Sequence, residues 1–216
     1  MKTWTIQASI FCLLPAALPV FSGQPKGALA PIALYNEFER DPPAPVKTAL
    51  RDELASIMTP LGLRFEWRDL RGPRQKPAIE LAVISFKGRC DAAGLLPRQG
   101  DSSGALGWTH ISDGVILPFS DVDCDGIRRF LQPALLTVSS ASREGAFGRA
   151  VARVLAHELY HIFADTTRHG SCGIGKEAYT VKDLLASGFR FEDQESKALK
   201  NGKAYALLAK GFEPPD

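Results

Sequence analysis

Val154-Leu155-Ala156-His157-Glu158-Leu159-Tyr160-His161-Ile162-Phe163 is the stretch on which the reading of this chain turns. It holds a His-Glu-x-x-His motif and two of the chain's four histidines. At about 100° per residue a helix aims His157 and His161 the same way, one turn apart. Two imidazoles on one helical face make half of a tetrahedral zinc site, with Glu158 beside them to work on water. Val151, Val154, Leu155, Leu159, Ile162 and Phe163 make the segment too apolar for a solvated surface helix. It should be buried, and buried imidazoles need partners.

Working outward from that helix, the downstream chain predicts a tight loop at His169-Gly170-Ser171-Cys172-Gly173-Ile174-Gly175. Thr180 and Asp183 have the spacing of a capping box, and one amphipathic helix is expected over 192–208. Upstream, Ser142 is a candidate cap for the motif helix, and a helical pattern from Gly126 falters at Pro133. Asp113-Gly114 between 106–112 and 115–119 is a two-residue hairpin signal. Residues 79–86, apolar apart from Glu80 and Ser85, read as a central strand covered on both faces. Leu63, Phe65 and Trp67 alternate with Arg64, Glu66 and Arg68, giving a strand with one buried face. Before it, 33–38 reads as a short first strand, and 46–58 as an amphipathic helix opened by Pro45 and ended before Pro60. The expected architecture is a single α+β domain, a mixed sheet packed on helices.

Composition sets the frame. The chain has 216 residues and a formal net charge of +2, which gives no reason to expect a nucleic acid or an anionic membrane as partner. Lys2 followed by the apolar run Ile6–Leu18 and small residues near Gly23 reads as an export signal over 1–22, too short for the ~20-residue span of a bilayer. That leaves roughly 190 residues at 23–216, enough for one domain in a secreted or periplasmic protein. Outside the signal are Cys90, Cys124 and Cys172. In an oxidising compartment one pair can bridge, and Cys90 with Cys124, each following a strand, is the preferred pair. Asp121-Val122-Asp123-Cys124-Asp125-Gly126 imitates the opening of a calcium loop, but Gln132 stands where the bidentate Glu belongs. Those aspartates are expected to cap the next helix instead.

A His-Glu-x-x-His helix preceded by strand, helix, strands and a hairpin resembles the zincin fold of zinc metallopeptidases over roughly residues 31–175. The resemblance implies that His157 and His161 bind zinc and that Glu158 is the general base. It also implies that a peptide or protein substrate adds as a further strand at the hairpin edge, residues 106–112. The motif and His169 resemble a lengthened form of the pattern of the metzincin branch. Ala164 and Thr167 stand where that branch has glycine and its third histidine, and His169 follows two residues later. With only Met1 and Met58 in the chain, the branch's methionine turn is missing.

A catalytic zinc usually takes three protein ligands and water. His169 ranks first for the third place, ahead of Glu177, Cys172 and His110. Asp165 lies about 12 Å along an unbroken helix from His157, too far to share its metal. Tyr179, just past the glycine loop, is a candidate donor to a developing oxyanion or a packing residue. The function expected from this set is zinc-dependent hydrolysis, of peptide bonds first. A zinc-binding domain without turnover, or an amidase with a non-peptide substrate, are the alternatives.

Overall fold

The computed structural model describes residues 31–73, 77–95 and 104–210, so the expected signal over 1–22 lies outside the described residues. Within them the chain forms one α+β domain. Its strands are β1 (Ile32–Arg40), β2 (Phe65–Asp69), β3 (Leu81–Arg89), β4 (Gly107–Ser112) and β5 (Val115–Asp123). Its helices are α1 (Ala44–Met58), α2 (Cys124–Thr137), α3 (Ser140–Ala164), α4 (Val181–Leu185), α5 (Asp193–Asn201) and α6 (Lys203–Lys210). The sheet runs β2-β1-β3-β5-β4, parallel except for the antiparallel β4–β5 hairpin, so β4 is an edge.

Local chemistry explains most of these elements. Pro45 sits in the first turn of α1, where its missing N–H costs nothing, and Val46, Leu50, Leu54 and Ile57 form the buried stripe. Asp113 (φ 51°) and Gly114 (φ 78°) both take the left-handed conformation that a tight hairpin turn demands. Asp123 accepts from the Gly126 backbone N–H at 2.8 Å, which makes the calcium-like stretch a strand end and a helix cap. Thr180 and Asp183 complete the capping box of α4. Cys90 and Cys124 are joined in a disulfide between the end of β3 and the start of α2.

Several expectations need correction. β3 is central, yet only Ala82, Ile84 and Phe86 are fully buried, while Leu81 is exposed and Val83, Ser85 and Lys87 are half-buried. The described helices gather on one side, with α1, α2, α4, α5 and α6 all touching α3, so one sheet face is covered by helix. β2 starts two residues later than expected, and Arg68 is buried because Tyr35 lies opposite it on β1 and bonds its guanidinium, as does Glu66. α2 continues through Pro133, held by the burial of Ile127, Leu131 and Leu135 on either side of the lost bond. α3 begins at Ser140 rather than after Ser142, whose hydroxyl pairs with that of Ser139. The single helix expected over 192–208 is two, because at Gly202 the chain runs against the Phe163 carbonyl and no side chain fits.

Candidate metal centre

α3 is the central rod of the helical layer, and its buried half carries the motif. His157, Glu158 and His161 are all less than a tenth exposed. The helix ends at Ala164 because Asp165 turns left-handed (φ 50°) and closes the helix end, outside the histidine cluster. The turn brings the Thr166 carbonyl to 2.7 Å from His161 Nδ1. Further on, the glycine loop closes through the Gly170 N–H donating to the Gly175 carbonyl at 2.8 Å. It places the Ile174 carbonyl 2.8 Å from His157 Nδ1.

These two carbonyls determine the state of the rings. A carbonyl only accepts, so each Nδ1 is the protonated nitrogen and each neutral ring keeps its lone pair on Nε2. The two Nε2 atoms face each other at 3.0 Å. With both Nδ1 protons already given away, no proton is left between the neutral rings to bond them. Protonating one is opposed: burial, and then the neighbouring histidines, hold His157 down to about 4, and burial also lowers His161. Two buried lone pairs directed at one point are a donor set for a cation. The His169 ring centroid completes the cluster, 5.2 Å from that of His157 and 4.9 Å from that of His161. One ligating atom of each of the three lies within 4.8 Å of the others. Neutral imidazoles with the distal nitrogen tied to carbonyls suit zinc and its neighbours in the transition series.

Glu158 is oriented from the hairpin. Thr109 Oγ1 lies 2.8 Å from Glu158 Oε2 and 2.9 Å from Ser120 Oγ. With the carboxylate ionised, the single Thr109 proton goes to Oε2 and Ser120 donates to Thr109. Oε1 stays open toward Gly107, where a Cβ would come within 2.9 Å of it and 3.0 Å of Val154 Cγ1. Burial pushes Glu158 up to about 7, against the Thr109 bond, which pulls the other way.

The remaining candidates fall elsewhere. His110 pairs with Asp121 at 2.6 Å and stands outside the cluster. Cys172 is an exposed free thiol, likewise outside it. Glu177 is not in the histidine cluster, but it lines the cavities beside it. Tyr179 donates its hydroxyl to the Ile174 carbonyl, the one that holds His157, so it supports the ring rather than offering a free donor. Thr109, Gly107 and the carbonyls of Thr166 and Ile174 were not foreseen. The alternation of Gly107 and Thr109 on a strand puts both on one face, but nothing in the sequence says that Glu158 lies over them. The chain matches no protein-family model, and a search of curated proteins finds no relative.

Proposed function

We propose that the chain is an exported zinc-dependent hydrolase of the zincin type, acting on peptide bonds. The observation that carries this is the apposition of the two buried Nε2 lone pairs at 3.0 Å, closed by His169 and flanked by an oriented carboxylate. A site that only held structure would have no need of Glu158, a buried acid kept at a cost. His157, His161 and His169 would hold the ion, which supplies Lewis acidity toward a carbonyl and toward water near neutral pH.

The chain's own groups divide the rest of the work. Thr109 fixes Glu158 Oε2, so Oε1 is the atom that takes the proton of the attacking water and returns it to the leaving amine. The Ile174 and Thr166 carbonyls keep His157 and His161 in the tautomer with Nε2 free. β4 has no described strand on its outer side, so its backbone is available to pair with an extended peptide across the site. The Cys90–Cys124 disulfide supports a location outside the reducing cytosol.

Glu158→Gln is expected to keep the metal at the unmodified stoichiometry while hydrolysis of a peptide mixture falls by about 10²-fold or more. His169→Ala should lower zinc content, and His157→Ala should do the same. Metal analysis of the purified variants beside a cleavage assay reads both. Undiminished cleavage by Glu158→Gln would end the mechanism, and unchanged zinc in His169→Ala would move the third ligand.

A further inference from the structure

Two cavities of about 260 Å³ each flank the histidines. They share Ala105, Gly107, His157, Glu158 and Glu177, so they are two lobes of one cleft with the motif helix as floor and Glu177 at the rim. One lobe runs under β4 and includes His161 and His169. The other is walled by Leu106, Phe130, Val154 and Tyr179 and includes neither.

The charges along this cleft are one-sided. Among its described lining residues there is no lysine or arginine, and the carboxylates are Glu158 and Glu177. Glu158 is buried and already bonded by Thr109. Glu177 is exposed, and no described side chain bonds its carboxylate. The neighbouring cation does not serve it, because the Lys176 ammonium is held by Asp183 at 2.5 Å. The larger cavity of about 340 Å³ between α1 and the ends of β1 and β2 is different, since its Lys47 pairs with Asp41 and its Arg71 with Glu37.

We propose that the cleft selects peptides with a lysine or arginine side chain, its methylene stem along Leu106, Phe130 and Val154 and its cationic head at Glu177. The inference rests on reading the cleft as a peptide site. A long basic side chain has the two halves that this lobe offers surfaces for, an apolar stem and a charged tip. The lobe walled by Leu106, Phe130 and Val154 keeps the stem clear of His161 and His169, while the head reaches Glu177, which both lobes share.

The test uses the full chain carrying Glu158→Gln, loaded with zinc, and two blocked hexapeptides that differ only in lysine against norleucine at one position. Norleucine keeps the stem and removes the charge. The lysine peptide should bind about fivefold more tightly, the size of one partly solvated charge pair, with the difference shrinking as salt is raised. Adding Glu177→Gln should erase that difference while leaving the norleucine peptide's affinity unchanged, and Glu177→Lys should favour a glutamate peptide. Equal binding of the two, binding of neither, or a lysine preference that survives Glu177→Gln overturns the proposal. Incubating the same peptides with the unmodified protein separates it from the hydrolase reading. Lysine-selective binding without cleavage removes the hydrolase and leaves the selectivity, whereas cleavage indifferent to lysine does the reverse.

Discussion

At the scale of single residues, His157 and Glu158 are neighbours whose buried environments push them in opposite directions. Without metal, His157 titrates near 4 in the fold against an ordinary value of 6.5, so the unfolded chain binds more protons between those values. That contribution to stability is lost as pH falls from about 6.5 to 4. Glu158 titrates near 7 against 4.5, so there the folded chain binds more protons, and stability is lost as pH rises from about 4.5 to 7. The two slopes largely cancel in the unmodified protein and separate in a variant. Metal-free Glu158→Gln should therefore be more stable than the unmodified protein at pH 8, by on the order of 3 kcal/mol, and about equal to it at pH 4. Its stability should then climb toward pH 6.5 under the two buried histidines, His157 and His161, which burial lowers alike. Urea unfolding of both proteins across that range measures the difference, and parallel profiles would mean that Glu158 is solvated.

At the scale of elements, the third histidine depends on how the glycine loop is seated. A Cβ at Gly170 or Gly175 would collide with the side chain of Glu195, which comes up from α5 and is only 3% exposed. Gly170→Ala should cost about 1–3 kcal/mol, as overpacking does, and weaken zinc binding about 10- to 100-fold by displacing His169. Adding Glu195→Ala should restore much of both. Thermal unfolding and chelator competition read the pair, and a Gly170→Ala protein with normal zinc affinity would refute the account.

The same loop shows how far the sequence could be read. The spacing of His157 and His161, the turn at Asp113-Gly114 and the box at Thr180 and Asp183 are written within a few residues of each other, and local sterics and hydrogen bonding enforce them. The return of His169 to the helix is not local. It needs Asp165 in a left-handed conformation, the Ile174 carbonyl, and a carboxylate on a helix two elements later. The half-covered β3 and the break at Gly202 were hidden for a similar reason. Each is set by what packs against the segment, and apolar content alone does not say on which side a neighbour lies.

At the scale of the molecule, the disulfide between Cys90 and Cys124 spans 34 residues and encloses the whole β4–β5 hairpin. It ties the edge that carries Thr109 and Gly107 to the sheet's centre through a covalent link. Closing a loop of that length removes freedom from the unfolded chain worth about 3–4 kcal/mol. Cys90→Ala with Cys124→Ala should lower unfolding free energy by about that amount, read from urea melts whose slope rises as the unfolded chain loses its cross-link. A change under about 1 kcal/mol would mean that the hairpin is held without it.

α3 touches α1, α2, α4, α5 and α6 as well as the sheet. Its amide protons around His157 and His161 can therefore reach water only when the domain opens as a whole, so they belong with its slowest-exchanging hydrogens. His169 lies on a solvent-facing turn beyond the helix, closed by a few backbone bonds that can part locally. The centre is thus divided between two clocks. Hydrogen exchange should show the helical pair protected for as long as the fold lasts and the His169 turn opening sooner, which would make that turn the door through which an ion comes and goes.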